Sequence, residues 1–284
     1  MYPYLNLGGW HIGTFGLLLW LAAVAATFVL HRNFQRFGVD ADALNVVALV
    51  VVFGILGAKT WHELQNIPSL RGSFRQIGAP GWHHPMDVLG ELLFWFRAGF
   101  AWYGGLLAGI AILLWQGRVA RPQGLTGWWA GVRMLDLAAP AAAVGYGVGR
   151  IGCLTSGDGD YGKPTTLPWG VHMAPNALVP TSQLVQPTPI YELLFALALA
   201  WLLWRLAGRS RPVGWLTGLY LVLSGVGRFL VEFVRINPPV FHGLTNAQVA
   251  SLGSILLGVV IMAVVRKRVE GPAEGPVPVE IAAV

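Results

Sequence analysis

The sequence is poor in charge and nearly free of cysteine. Asp, Glu, Lys and Arg together make up 11% of its 284 residues, whereas soluble domains carry about 25%. So little surface charge would not keep a water-soluble monomer dispersed, which excludes that class. The single cysteine, Cys153, excludes a disulfide scaffold. Residues 1–30 contain no Lys or Arg, so they lack the basic segment that begins a cleavable signal peptide.

Apolar residues are abundant instead. They form 55% of the chain, which includes 13 Trp, and this content excludes intrinsic disorder. The remaining class is a membrane protein with several spans. The net charge is +6, and basic residues in such a protein mainly orient it in the bilayer. No zinc-finger, RNP or helix-turn-helix pattern occurs, so nucleic acid is not an expected partner.

About seven apolar runs are long enough to cross a bilayer, which takes roughly 20 residues per helix. These runs lie near 13–30, 44–61, 94–115, 128–149, 190–206, 215–233 and 247–265. They predict an all-α polytopic membrane protein with about seven transmembrane helices in a single domain at 1–268. No internal repeat is visible, which argues against a transporter built from repeats.

The basic residues predict which helix ends face the cytoplasm. With the N-terminus outside, most of them fall in cytoplasmic segments: Arg32, Arg36, Arg118, Arg121, Arg205, Arg209, Arg211, Arg266, Lys267 and Arg268. This bias predicts an N-out, C-in orientation by the positive-inside rule. Two long loops, 62–93 and 151–189, then lie on the outer face, where long loops often carry function. The Pro-rich end, 269–284, is predicted to be a disordered cytoplasmic tail.

Charged residues in the sixth apolar run indicate a polar site within the membrane. An ionised side chain at mid-bilayer costs at least about 2.5 kcal/mol, so it usually lines a cavity or has a partner. Arg228 and Glu232 are four residues apart and Arg235 is three further on, so a helix would place them on one stripe. Two cations for one carboxylate would leave a positive charge available to an anion. The alternative is an ion pair that only allows the helix to insert.

A further arginine follows a glycine-rich stretch at the end of the fourth run. Arg150 lies among Gly145, Gly147, Gly149 and Gly152. An arginine fork among free backbone amides is a plausible cradle for a phosphate. The alternative is a glycine-rich helix contact with an arginine beside it, which is common in membranes.

Other polar groups have simpler interpretations. Asp158 and Asp160 are expected to form turns rather than a metal site, so no metal is predicted. Arg133 and Asp136, three residues apart in the fourth run, are expected to form a structural ion pair. Glu192 begins the fifth run, where a carboxylate stabilises a helix N-terminus.

Tyr103 precedes Gly104 and Gly105 inside the third run. Glycines in a membrane helix allow the close approach of another backbone or of a lipid. From these residues alone, simple helix packing is favoured over a lipid site.

Taken together, four segments resemble motifs of the prolipoprotein diacylglyceryl transferase family. Residues 103–106, YGGL, resemble its His-Gly-Gly-Leu motif, and residues 149–152, GRIG, resemble its Gly-Arg-Ile-Gly-Asn signature. Residues 186–192, QPTPIYE, resemble its His-Pro-x-Gln-Leu-Tyr-Glu motif, and residues 227–235, GRFLVEFVR, resemble its Arg-rich segment. The resemblance runs through the predicted spans in the same order and covers nearly the whole chain.

The resemblance implies an enzyme of the bacterial inner membrane that needs no cofactor. Members of that family transfer the diacylglyceryl group of phosphatidylglycerol to the lipobox cysteine thiol of a prolipoprotein signal peptide, and glycerol phosphate leaves. The implied partners are therefore phosphatidylglycerol, lipobox-containing prolipoproteins and membrane lipids. By resemblance, the catalytic residues are Arg150 and Arg228, which would hold the phosphate, and Tyr103, which occupies the position of the family's candidate base for the thiol. Because tyrosine is a poor base, Tyr103 could instead donate a hydrogen bond to the phosphate. The implied substrate-binding residues are Gly104, Gly105, Gly157, Gly162, Tyr191, Glu192, Glu232 and Arg235.

Several motif positions differ from the family pattern. Tyr103 stands where the family has histidine, and Cys153 stands where it has asparagine. Phe15 and Ser224 each replace a tyrosine. These replacements leave two alternatives to the enzyme: a non-catalytic paralog that binds phospholipid without turnover, and a small transporter whose buried charges line a pathway.

Overall fold

Long apolar helices form most of the described chain. The computed structural model describes residues 2–79, 83–96, 99–209 and 211–270. The helices in these ranges are α1 (Thr14–Phe37), α2 (Ala43–Gln65), α3 (Ile67–Gly78), α4 (Pro85–Phe96), α5 (Trp102–Ala120), α6 (Gly127–Ser156), α7 (Thr188–Ala207), α8 (Trp215–Val231) and α9 (Asn246–Glu270). Of these, α1, α2, α5, α6, α7 and α9 are long and apolar enough to cross a membrane, and α8 is a shorter apolar helix. The prediction of an all-α polytopic membrane protein is confirmed, with one helix at each predicted span.

The segments between the spans contain structure of their own. Hairpin β1 (Tyr4–Leu7) and β2 (Trp10–Gly13) precedes α1, and hairpin β3 (Val171–Met173) and β4 (Thr181–Val185) lies between α6 and α7. The 62–93 segment contains α3 and most of α4, and none of the residues of these two fully described helices is buried. Residues 271–284 of the predicted tail lie outside the described residues.

The third span begins later than the sequence predicts. Its helix, α5, starts at Trp102 rather than near residue 94, because residues up to Phe96 belong to α4. Gly99 lies between the two helices with a φ of +78°, a left-handed conformation that favours glycine. The apolar run therefore contains the end of one helix, a non-helical connection that includes residues 99–101, and the start of the next helix.

Helix α6 is central among the described helices. It contacts α1, α5, α7 and α8, and half of its most apolar stretch is buried, against a third or less in the other long spans. Glycines allow these contacts: a Cβ on Gly147 would lie 3.1 Å from Cβ of Ala196 in α7, and one on Gly152 would lie 3.2 Å from the Phe15 ring in α1. Small residues commonly permit such close approaches in membranes. These close contacts pack α1 and α7 against α6.

Asp136, buried inside α6, fixes the start of α8. Its carboxylate accepts hydrogen bonds from the backbone N–H of Gly214 (2.7 Å), the backbone N–H of Thr217 (2.7 Å) and the Thr217 hydroxyl (2.6 Å). These bonds satisfy donors that the first turn of a helix leaves unpaired. Arg133 is 3.9 Å away, so the predicted ion pair is a long, secondary contact. The main role of Asp136 is to cap α8.

Candidate functional site

Three arginines and three carboxylates meet at the end of α6, the start of α7 and the end of α8. We refer to them as the arginine–carboxylate cluster, which comprises Arg150, Asp160, Glu192, Arg228, Glu232 and Arg235. Each arginine contacts at least two of these carboxylates. The cluster therefore joins elements that are far apart in the sequence.

Glu192, near the start of α7, is the centre of this cluster. Its Oε1 is 3.2 Å from Nη1 of Arg228, and its Oε2 is 3.4 Å from Nε of Arg150. Oε2 is also 3.4 Å from Nη1 of Arg235. The side chain is only 4% exposed, and a buried charge needs such partners because its removal from water costs several kcal/mol. Glu192 thus acts mainly as a shared partner of three guanidinium groups, not as a helix cap.

Helix α8 ends at Val231, so Glu232 and Arg235 lie just beyond it, but the predicted contacts along this stripe are present, with Oε2 of Glu232 3.8 Å from Nε of Arg235. Glu232 retains helical backbone angles, and its Oε2 is 2.9 Å from Nη2 of Arg228. Its Oε1 accepts hydrogen bonds from Asn237 Nδ2 (2.6 Å) and from the Thr245 hydroxyl (2.9 Å). These bonds fix Glu232, which in turn orients Arg228.

Asp160 reaches the cluster from the segment between α6 and β3. Its Oδ2 is 2.5 Å from Nη1 of Arg150, and its Oδ1 pairs with Nη2 of Arg235. Burial by itself would raise the pKa of the Asp160 carboxyl, but the guanidinium groups of Arg235 and Arg150 hold this pKa below its ordinary value. Asp158 does form the expected turn, since its Oδ1 accepts from the backbone N–H of Asp160 at 3.1 Å. The expectation that Asp160 also serves only a turn is wrong.

The cluster is balanced in charge. Its three guanidinium groups face three carboxylates, because Asp160 and Glu192 join Glu232 from other parts of the chain. The expectation that one positive charge along residues 228–235 is left free for an anion is therefore wrong. An anion that binds these arginines has to compete with carboxylates already bound to them.

The glycines before Arg150 pack helices and do not expose backbone amides. Helix α6 continues to Ser156, so Gly145, Gly147 and Gly149 all have helical backbones. The prediction of a cradle of free amides is therefore wrong.

Gly157 and Gly162 frame the segment that carries Asp160. Gly157 ends α6 with a φ of +60°, the left-handed conformation that commonly terminates helices. A Cβ on Gly162 would lie 2.6 Å from the main-chain oxygen of Val234 and 2.9 Å from Cγ2 of Thr188. Only a glycine fits there without displacement, and the contact holds the segment after α8 against the segment after α6.

Tyr191 lies beside the cluster without joining it. Its hydroxyl accepts a hydrogen bond from Nε1 of Trp169 at 2.8 Å. Tyr191 therefore ties the start of α7 to the segment before β3.

Tyr103, Gly104 and Gly105 lie at the start of α5, against α2. A Cβ on Gly104 would overlap the main-chain oxygen of Gly57, and one on Gly105 would lie 3.2 Å from the main-chain oxygen of Gly54. Tyr103 is 48% exposed. Among the described residues, no hydrogen bond or ion pair links it to the cluster. The two glycines pack α5 on α2, and the role of Tyr103 stays a prediction.

Tyr146 is a neighbour of the cluster that the sequence reasoning missed. Its hydroxyl donates to Oε1 of Glu192 at 2.5 Å and accepts from Nη2 of Arg150 at 3.1 Å. The guanidinium of Arg150 also lies 4.8 Å from the centre of the Tyr146 ring, within the range of cation–π attraction. Tyr146 precedes Arg150 by four residues on α6, and this spacing is the signal that would have identified it.

Cys153, Asp158 and Asp160 place three potential metal-ligand atoms within 4.8 Å of one another. Asp160 is already paired with two guanidinium groups, and Sγ of Cys153 is 3.7 Å from Nη1 of Arg150. A metal cation there would be repelled by these positive groups. Of the three residues, Asp160 belongs to the arginine–carboxylate cluster, and Cys153 and Asp158 are its neighbours.

The fold and this cluster define a multi-pass helical membrane protein with a buried set of arginine–carboxylate ion pairs. A sequence profile described as "Prolipoprotein diacylglyceryl transferase" matches residues 3–264. The chain therefore belongs to the prolipoprotein diacylglyceryl transferase family.

Full-length relatives support this assignment. A phosphatidylglycerol--prolipoprotein diacylglyceryl transferase of Clostridium tetani is 31% identical over 269 residues, which cover 93% of this chain and 97% of the relative. A protein of the same name from Bordetella avium is 32% identical over 278 residues, covering 93% and 94%. One from Geobacter sulfurreducens is 29% identical over 279 residues, covering 95% and 96%.

Proposed function

We propose that this protein transfers the diacylglyceryl group of phosphatidylglycerol to the lipobox cysteine thiol of bacterial prolipoproteins and releases glycerol phosphate. One observation carries the assignment to this site: Arg150 of α6 and Arg228 of α8 share the carboxylate of Glu192, at 3.4 and 3.2 Å. Two guanidinium groups so close together suit the oxygens of one phosphate, which arginine binds by paired hydrogen bonds. Family membership supplies the reaction.

The chemistry of the transfer explains why arginines are needed at membrane depth. The thiol gives up its proton and its sulfur forms a bond to the diacylglyceryl carbon that carries the phosphate, while the bond between that carbon and the phosphate oxygen breaks and its electron pair leaves with glycerol phosphate. Negative charge therefore grows on the leaving oxygen. A fixed guanidinium stabilises this charge most where water is scarce, and the side chains of Arg150 and Arg228 are only 17% and 26% exposed.

We further infer that the protein lies in the bacterial inner membrane with the cluster toward its outer face. Basic residues lie toward the opposite side: Arg205 is near the end of α7, and Arg118 is near the end of α5, which leads into the start of α6. By the positive-inside rule, those ends face the cytoplasm. The end of α6 and the start of α7 then face outward, on the side where a secreted precursor presents its signal peptide.

The assay is transfer by the purified protein in nanodiscs that contain phosphatidylglycerol, with a lipobox peptide as acceptor. Release of glycerol phosphate and thioether formation are both measured. Arg150→Ala and Arg228→Ala are each expected to lower the rate at least about 100-fold, since loss of one fixed donor to a developing charge has effects of this size.

The matched control is Arg205→Ala. Arg205 is an exposed arginine whose guanidinium lies 4.8 Å from the Trp201 ring, at the other end of α7. Its replacement is expected to change the rate less than about threefold, as surface substitutions usually do little. Rates for Arg150→Ala and Arg228→Ala that equal the control would contradict the proposed site. Lipid binding without any transfer by the unmodified protein would indicate the non-catalytic paralog instead.

A further inference from the structure

Asp160 differs from the other two carboxylates of the cluster in its exposure. Its side chain is 32% exposed, whereas those of Glu192 and Glu232 are 4% and 0% exposed. Its two oxygens are divided between Arg150 and Arg235, one oxygen to each guanidinium. A carboxylate that bridges two guanidinium forks has the same donors that a phosphate would use.

The backbone at Asp160 is held in place, so that the side chain can leave the arginines without unfolding the segment. The main-chain oxygen of Asp160 accepts from the Thr188 hydroxyl at 2.6 Å. Next to it, the backbone N–H of Gly162 donates to the main-chain oxygen of Gln186 at 2.8 Å. Because neither bond involves the carboxylate, rotation about the side-chain bonds of Asp160 would leave both in place and would break its ion pairs with Arg150 and Arg235 and its hydrogen bond with the Cys153 thiol.

The charge balance indicates which carboxylate an incoming phosphate would replace. With all three carboxylates in place, a phosphate would add a fourth negative group to three guanidinium groups. Glu192 and Glu232 are sealed in the protein, and each is fixed by further hydrogen bonds, from Tyr146 and from Asn237 respectively. Asp160 is the exposed member, and its replacement restores the balance.

We propose that the Asp160 carboxylate competes with the substrate phosphate for Arg150, the guanidinium that both would bind, and that its displacement also releases Arg235. In this role Asp160 is a positioning residue: it keeps both guanidinium groups oriented, is displaced when a phosphate binds, and returns when glycerol phosphate leaves. The inference rests on the proposed function, because the phosphate belongs either to phosphatidylglycerol or to the glycerol phosphate product.

The first experiment compares Asp160→Asn with the unmodified protein in binding and in turnover. The asparagine keeps the size of the side chain but removes its charge. We expect the Kd for phosphatidylglycerol in nanodiscs and the Ki of free glycerol phosphate both to fall about tenfold, which is the scale of one charge-assisted interaction. The KM for phosphatidylglycerol should fall with the Kd. A Kd and a Ki that rise or stay unchanged would show that Asp160 only supports the arginines and would overturn the proposal.

Asp158→Asn is the matched control. It removes a carboxylate two residues away, and its amide oxygen can still accept the 3.1 Å bond from the backbone N–H of Asp160. This variant should leave the Kd for phosphatidylglycerol and the Ki of glycerol phosphate within about twofold, since it frees neither Arg150 nor Arg235. An equal tightening in both variants would reflect a general loss of negative charge and would contradict a specific role for Asp160.

A second measurement uses the unmodified protein and does not depend on the folding of a variant. Carbodiimide labelling of carboxyl groups, read by mass spectrometry, reports how accessible each one is. Addition of phosphatidylglycerol or of glycerol phosphate should increase labelling of Asp160 at least several-fold and leave Glu192 protected. Reduced or unchanged labelling of Asp160 would overturn the displacement.

The same experiments separate this inference from the proposed function. Absence of transfer by the unmodified protein counts against the function, and binding and labelling still decide the competition. If only phosphatidylglycerol increases the labelling of Asp160, the lipid is the competing anion. If only glycerol phosphate increases it, the product is the competing anion.

Discussion

The end of α6 and the start of α5 both carry glycines next to a polar motif residue, yet the two regions are built differently. At the end of α6, Arg150 points into a network in which Glu192 contacts three guanidinium groups. At the start of α5, Gly104 lies against the backbone of Gly57 in α2, and Tyr103 is 48% exposed. One region holds charges together, and the other brings two backbones together.

The comparison shows two different reasons why a motif position requires a particular residue. Side chains in the arginine–carboxylate cluster are specified by charge, because each buried carboxylate needs cationic partners. Gly104 is required because space is limited there: the side chain of any larger residue would clash with the α2 backbone. Substitutions should therefore damage the two regions in different ways, with loss of activity in the first and loss of packing in the second.

The largest effect is expected from Glu192→Gln. This change leaves Arg150, Arg228 and Arg235 without their shared charge, and removal of one partner from a buried ion pair costs about 3–5 kcal/mol. We expect a strongly lowered melting temperature in nanodiscs and a loss of transfer of at least about 100-fold. Thermal unfolding followed by circular dichroism and the transfer assay measure the two effects.

The comparison for Glu192→Gln is Glu63→Gln in α2. Glu63 is also buried, but its Oε1 is paired at 2.9 Å with the single ammonium of Lys59. This variant should destabilise the protein less and should keep most of the transfer activity. Equal losses of activity in both variants would contradict the view that the cluster is the site and the α2–α5 region is structural.

An intermediate effect is expected from Gly104→Ala. The added Cβ would overlap the Gly57 oxygen and the Cβ of Trp61, and overpacking of this kind typically costs about 1–3 kcal/mol. Gly16→Ala in α1 is the control, since a Cβ there meets no described atom within 4 Å. The melting temperature should fall for Gly104→Ala and stay unchanged or rise for Gly16→Ala. A drop of the same size in both would mean that glycine itself, not the α2–α5 contact, matters.

The smallest effect is expected from Tyr103→Phe. If the hydroxyl donates one hydrogen bond to the headgroup, its loss is worth about 0.5–1.5 kcal/mol, or roughly 2- to 12-fold in the KM for phosphatidylglycerol. The value of kcat should remain close to that of the unmodified protein. A loss of kcat as large as that of Arg228→Ala would place Tyr103 in the chemistry, and an unchanged KM would remove it from the headgroup.

Apolar run length predicted each spanning helix, because a membrane helix must satisfy its backbone internally and present apolar side chains to lipid. Run length failed to predict the start of α5, because non-helical residues around Gly99 divide the predicted apolar run. Apolar composition alone does not distinguish one long helix from two joined by a turn. The sequence also did not predict that Asp136 caps the start of α8, since this role depends on contacts between residues about 80 apart in the chain.

Local spacing predicted the Arg228–Glu232 pair but not the rest of the network. The i, i+4 relation holds even though α8 ends before Glu232. Asp160 joins Arg150 only because the segment between Gly157 and Gly162 folds back over the end of α6, and no periodic pattern encodes that path. The charges along one stretch of sequence therefore suggested an unpaired cation. In the folded structure, the cluster has equal numbers of positive and negative groups.

The most direct test of the central claim is the position of the phosphate in a structure of the protein with phosphatidylglycerol bound. The account predicts phosphate oxygens within hydrogen-bonding distance, about 3 Å, of the guanidinium groups of Arg150 and Arg228, with Glu192 still between them. A headgroup that instead lies against α2 and α5, away from both arginines, would contradict it.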